Sequence, residues 1–101
     1  MFELDCKVLN VFLYIYKYKS VSIAAENLGM NQPTVSNILN RVRQHYNDPL
    51  FLRIGNEMVP TELSKQLFPL ISEALNKVEG CFERASGQAQ KEMEIEYHRS
   101  L

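Results

Sequence analysis

The stretch SIAAENLGMNQPTVSNILNRV, residues 22–42, constrains the fold more than any other part of the chain. It holds two helical patterns separated by a glycine. Ala24, Ala25 and Leu28 give a small apolar face to a two-turn helix from Ser22 to Leu28, with Ser20 or Ser22 able to cap it. Paired alanines let a second helix approach closely. Gly29 stands where such a helix needs a left-handed exit. Asn31 can then cap a new helix, and Pro33 falls in its first turn, where a missing N–H leaves nothing unpaired. Val35, Ile38, Leu39, Val42 and Tyr46 recur at i, i+3, i+4, i+7 and i+11, which is one buried stripe. Two helices joined by a tight glycine turn make a helix-turn-helix unit.

The opposite face of the second helix carries Pro33, Asn37, Asn40 and Gln44, flanked by Thr34, Ser36 and Arg41. A merely solvated face usually carries Glu and Lys, which favour helix more than Asn, Ser and Thr do. A face of short polar side chains without acids fits another role. The first turn can enter a DNA major groove and present Gln32, Thr34, Ser36 and Asn37 to base edges. Gln and Asn can pair bidentately with adenine, and a Thr methyl can pack on a thymine methyl. The helix N-terminus favours nearby phosphate. Arg41 and Arg43 lie further along, at the level of the DNA backbone.

Flanking segments complete the unit. Val8, Leu9, Phe12, Leu13 and Tyr16 line one face of a first helix that Asp5 can cap. Asn47-Asp48-Pro49 marks a turn. Leu50–Arg53 and Glu57–Val59 pattern as two short strands around a tip at Ile54-Gly55-Asn56. A ribbon in this position is a wing, and it points Arg53 and Asn56 at phosphate or the minor groove. The competing reading pairs Arg53 with a neighbouring acid such as Asp48. The fold class is therefore mostly α with a two-stranded β wing.

Beyond the wing, Leu63, Leu67, Leu70, Ile71, Ala74, Leu75, Val78 and Phe82 form one long apolar stripe, with Thr61 and Ser64 at its capped start. Three short helices cannot cover so long a stripe, so it is expected to pack on a second copy. A symmetric dimer of this kind sets two recognition helices ~34 Å apart, on successive major grooves. The competing reading gives the stripe to the domain's own core. Pro69 lies inside this helix and is expected to kink it. The chain then divides into a winged helix-turn-helix over residues 1–60, a linker and dimerisation helix over 61–84, and a tail over 85–101. In the tail, Met93, Ile95 and Tyr97 alternate with charge, as in a strand. A strand without a sheet is not stable alone, so the tail is expected to be disordered, helical in context, or added to a partner's sheet edge.

Charge and composition narrow the function. The net charge is −1, yet residues 17–53 carry five basic side chains against two acidic ones, while residues 66–101 carry four against six. A basic first half can meet phosphate while an acidic end stays away from it. No apolar run approaches the ~18 residues of a membrane span, and the N-terminus does not pattern as a signal peptide, so a cytoplasmic protein is expected. Cys6 and Cys81 belong to no metal-binding cluster and are expected to be reduced and partly buried. No catalytic constellation, metal site or glycine-rich phosphate loop is present, so neither an enzyme nor a cofactor is expected.

From Leu4 to about Val78 the chain resembles the N-terminal domain of bacterial LysR-type transcriptional regulators. LDCKVLNVF resembles the family's first helix. SVSIAAENLGMNQPTVSNIL resembles its Ser-x-x-x-Ala-Ala-x-x-Leu…Ser-Gln-Pro-x-x-Ser signature, DPLFLR its Leu-Phe-x-Arg strand, and VPTELSKQL the start of its long fourth helix. The Asn-Asp-Pro-Leu-Phe and Pro-Thr pieces look most like the branch of LeuO and the nodulation regulators. The resemblance implies a phosphate contact at Ser22. It sets Gln32, Pro33, Thr34, Ser36, Asn37, Asn40 and Arg41 on the DNA-facing helix, and Arg53 and Asn56 at the wing. It implies homodimers through paired fourth helices and operators that are A·T-rich interrupted palindromes. Asn37 stands where arginine is frequent, which removes a guanine reader. Glu57 replaces a commonly basic wing residue, which should weaken backbone contact. Family members continue into a two-lobed effector-binding region that the residues after Val78 do not resemble, beyond a faint likeness of CFERAS to the hinge, so no small-molecule pocket is expected in this chain. The alternative function is an interaction protein that heterodimerises with a full-length relative without binding DNA itself.

Overall fold

The computed structural model describes residues 5–80, which form four helices and one antiparallel ribbon in the order α1 (Cys6–Tyr18), α2 (Val21–Leu28), α3 (Gln32–Tyr46), β1 (Phe51–Ile54), β2 (Glu57–Pro60) and α4 (residues 62–80). The fold is thus mostly α with a two-stranded wing, as expected. The expectations for the tail over 85–101 and for Phe82 and Cys81 lie outside the described residues.

The helix boundaries follow from capping chemistry. Asp5 caps α1 by accepting from the Val8 N–H at 2.9 Å, and Asn31 caps α3 by accepting from the Thr34 N–H at 2.9 Å. Of the two serines that could start α2, Ser20 does so, accepting from the Ile23 N–H at 3.1 Å. The helix therefore begins at Val21, and Ser22 sits in its first turn. Lys19, Gly29 and Asn47 end the three helices in the left-handed conformation. At eight residues α2 is too short to hold itself. Packing holds it: Ala24 and Ala25 are buried between α1 and α3, and their small side chains permit that close approach.

The core centres on Val11, Phe12 and Ile15 of α1, on Val35, Ile38, Leu39 and Val42 of α3, and on Leu50, Phe51 and Met58 at the wing. The α3 stripe is the expected one. On α1 the centre differs: Leu13 and Tyr16 are half-buried at its edge, and Leu9 is only partly buried. The run VLNVFLYIY is apolar on nearly every side, so periodicity alone does not fix which side faces inward. Four aromatic rings tie the layers together. Phe12 lies 5.5 Å from Phe51 between ring centroids, and Tyr16 stacks on Phe68 of α4 at 4.1 Å.

The wing is braced on three sides. Its register pairs Phe51 with Pro60, Leu52 with Val59, Arg53 with Met58 and Ile54 with Glu57. The Met58 N–H donates to the Lys19 carbonyl at 2.9 Å, which ties β2 to the end of α1. At the root of β1, buried Leu50 adopts φ +60°, a left-handed conformation costly for a side chain of its kind. Three partners hold it there. Its N–H donates to Asp48 Oδ1 at 2.7 Å, and its carbonyl accepts from the Ser64 hydroxyl at 2.6 Å and the Thr61 N–H at 2.8 Å. Thr61 Oγ1 in turn donates to the same Asp48 oxygen at 2.9 Å. The start of α4 is thereby locked to the wing. α4 itself continues through Pro69 to residue 80.

Candidate nucleic-acid interface

The exposed residues of α3 divide into three strips at roughly 100° per residue. Pro33, Asn37, Asn40 and Gln44 point directly away from the core, and all four are exposed. Gln32 and Ser36 lean toward the wing. Thr34 and Arg41 lean to the other side, Thr34 half-buried and Arg41 exposed. No acidic residue occurs anywhere in α3.

Between α3, the start of α2 and the wing lies an open polar groove. Ser20, Ser22, Gln32, Ser36, Asn40, Arg43, Arg53 and Asn56 line it, with Val21, Leu39 and Met58 at its floor. Six of the ten candidate DNA contacts therefore meet in one groove: Ser22, Gln32, Ser36, Asn40, Arg53 and Asn56. Pro33, Asn37, Thr34 and Arg41 lie on the outward and far sides of α3, outside the groove. Ser20 and Arg43 join the lining without having been among those candidates.

The geometry gives each side chain its availability. The Ser22 hydroxyl lies 3.1 Å from the Ser20 hydroxyl, over the first turn of α2, where N–H groups point outward. Arg53 makes no ion pair among the described residues, and its candidate partner Asp48 is engaged by Leu50 and Thr61. Gly55, at φ +63°, turns the ribbon tightly and leaves Asn56 at its tip. Arg43 behaves differently from its expected role at the backbone. Its Nε donates to the Pro49 carbonyl at 2.7 Å, Nη2 to the Phe51 carbonyl at 3.2 Å and Nη1 to Asn40 Oδ1 at 3.1 Å. It is a brace between α3 and the wing, built on backbone acceptors that the turn at Asn47–Pro49 delivers.

On α4, Leu63, Leu67 and Ile71 pack against the chain's own core beside Phe68, and Leu75 is buried. Leu70 and Val78 are 63% and 52% exposed, and Ala74 between them is exposed too. The apolar stripe is thus split between an inward and an outward strip. Cys6, expected to be partly buried, is exposed because it sits in the first turn of α1, beyond the core. No described helix is long and apolar enough to cross a membrane.

Residues 6–65 match the family model for bacterial regulatory helix-turn-helix proteins of the lysR family. The chain belongs to that family. Among relatives of this lysR-family chain, the HTH-type transcriptional activator NahR of Pseudomonas putida is 42% identical over 74 residues, covering 73% of the chain and 25% of NahR. The HTH-type transcriptional regulator LeuO of Escherichia coli K12 is 39% identical over 75 residues, covering 74% of the chain and 24% of LeuO. The lysR-family chain therefore spans about a quarter of the length of these relatives. Among solved structures, the probable transcriptional regulator PA0477 of Pseudomonas aeruginosa superposes with a TM-score of 0.75 at 36% identity, over 80% of this chain and 27% of that one. The BenM_DBD/catB site 1 DNA complex superposes with a TM-score of 0.78 at 17% identity, over 85% of this chain and 97% of that one, which establishes a common fold.

Proposed function

We propose that this chain is a sequence-specific DNA-binding transcriptional regulator that acts as a homodimer. Helix α3 enters the major groove, and the wing lies on the backbone or in the minor groove beside it. The observation that carries this reading is the shared groove. Ser22, Gln32, Ser36 and Asn40 from two helices face the same opening as Arg53 and Asn56 of the wing. Base-reading amides and hydroxyls beside a free guanidinium suit a surface that both positions itself on phosphate and reads base edges. The roles follow from position. Gln32, Pro33, Ser36, Asn37 and Asn40 lie toward the bases, Thr34 and Arg41 lie at one groove wall, and Ser22, Arg53 and Asn56 meet the backbone. The family membership and the DNA complex of a protein with the same fold support duplex DNA as the ligand.

Dimerisation is proposed through α4. Leu70, Ala74 and Val78 are spaced i, i+4 and i+8, and their exposure supports packing against the same strip of a second copy. Leu63, Leu67, Ile71 and Leu75 support that strip from the inner side. The proposed operator is an A·T-rich interrupted palindrome. Hydroxyl-radical footprinting on such a duplex tests the arrangement: two protected patches about one helical turn apart are expected. One patch, with a monomer by analytical ultracentrifugation at the binding concentration, refutes the dimer. No protection at all favours the alternative, a partner that heterodimerises with a full-length relative.

A further inference from the structure

Arg43 and Asn40 lie one helical turn apart in α3, and the contact between them has a consequence for what Asn40 can recognise. A guanidinium only donates, so the Asn40 atom facing Nη1 at 3.1 Å is the amide oxygen. Arg43 cannot turn away to release it, because Nε and Nη2 are held by the Pro49 and Phe51 carbonyls at 2.7 and 3.2 Å. One of the two lone pairs of the Asn40 amide oxygen is thus taken from within, at a residue that lines the groove.

We propose that Arg43 is a positioning residue that orients Asn40 to meet DNA through its NH2 donor. This inference rests on the reading of α3 as the helix that faces DNA. An asparagine that pairs bidentately with adenine must accept from N6 with its oxygen while donating to N7. The Asn40 oxygen keeps one free lone pair, but the Arg43 bond orients the amide. The turn that would bring oxygen and NH2 together onto one adenine edge is therefore opposed, and adenine is disfavoured at its position. Its NH2 group instead fits an acceptor-only partner: guanine O6 and N7, thymine O4, or a phosphate oxygen. Among the described residues Gln32 and Asn37 have no such internal partner, and both halves of their amides stay available. One helix face therefore holds amides of two kinds. Arg43 also fixes the distance between α3 and β1, so the same fork that orients Asn40 sets where Arg53 stands.

The test uses the 101-residue chain and fluorescence anisotropy on an A·T-rich palindrome. One panel carries each base pair in turn through a half-site, and a second carries single methylphosphonates. Asn40→Ala is expected to weaken binding roughly 10-fold, the lower part of the range for a specific polar contact. Arg43→Lys keeps the charge but cannot make three bonds in the fork geometry, so it is expected to lose at least as much, because the brace to the wing goes with the Asn40 contact. The double variant is expected to bind no worse than Arg43→Lys alone, because the Asn40 contact is already lost there. Asn40→Asp keeps an acceptor for Arg43 and removes the donor, so it is expected to lose at least as much as Asn40→Ala. Loss of the Asn40→Ala effect at one base pair assigns a base contact, with G or T preferred over A. Its loss at one methylphosphonate assigns a phosphate. The inference is overturned if Arg43→Lys binds like the parent, if the two losses add, if Asn40→Asp binds normally, or if the Asn40-dependent position prefers adenine. A parent that binds no duplex at all overturns the DNA reading itself, and this inference with it.

Discussion

Replacing Asp48 should loosen the wing more than its position in a surface turn suggests. One carboxylate oxygen accepts both the Leu50 N–H at 2.7 Å and the Thr61 hydroxyl at 2.9 Å. The Leu50 backbone is held at φ +60° between that carboxylate and the Thr61–Ser64 start of α4. Hydrogen bonds to a charged group contribute about 1.5–3 kcal/mol each. Because the two share one oxygen on a half-buried side chain, the lower end applies, and Asp48→Ala should cost about 2 kcal/mol. For a domain of this size that lowers Tm by about 8–16 °C. Asp48→Asn keeps an amide oxygen for the same two donors and loses only the charge, so it should cost about 0.5–1 kcal/mol. Thermal and urea unfolding followed by far-UV circular dichroism reads both values. The reasoning fails if Asn and Ala are equally destabilising, since that would mean the acceptor geometry contributes nothing. It fails equally if Asp48→Ala costs under about 0.5 kcal/mol, the range of an ordinary surface substitution.

Three further outcomes follow from the same structure. Ala24 is fully buried where α2 meets its neighbours, so Ala24→Leu should destabilise by about 1–3 kcal/mol through overpacking, measured by urea unfolding. Gly29 has φ +67° and nothing within 4 Å of an added Cβ, so Gly29→Ala should cost only the backbone penalty of about 1–2 kcal/mol, and a larger loss would point to a clash the structure lacks. Glu57 is exposed beside the wing tip, so Glu57→Lys should tighten binding to every duplex and steepen the salt slope by about one counterion, measured by anisotropy against salt.

Much of this architecture was legible in the residues because its signals are local. Asn31, Pro33 and Gly29 each do one job dictated by backbone chemistry, and the α3 stripe has a single clean period. The parts that were not legible depend on atoms brought together by the turn after α3. Arg43 looks like any helical arginine until the Pro49 and Phe51 carbonyls arrive beside it. Leu50 gives no sign that it will take a left-handed conformation, because leucine has no preference for one; only the Asp48, Thr61 and Ser64 partners force it. The apolar stripe of α4 could be read as one surface because sequence spacing does not say where α1 stops covering it. The groove was partly legible: six of its members were candidates from residue type and helix position. Ser20 escaped because its role as the α2 cap was shared with Ser22 in the sequence.

Duplex DNA is proposed to bind across the outward face of α3 and the groove between that helix and the wing. Fluorescence anisotropy of the whole chain with an A·T-rich palindromic duplex and a G·C-rich control, across a salt series, tests it most directly. Binding is expected to fall steeply with rising salt as phosphate contacts release counterions. Asn37→Ala should flatten the preference between the two duplexes, and Arg53→Ala should weaken both alike. Absence of binding to either duplex even at low salt would contradict the claim and turn attention to a protein partner for the outward strip of α4.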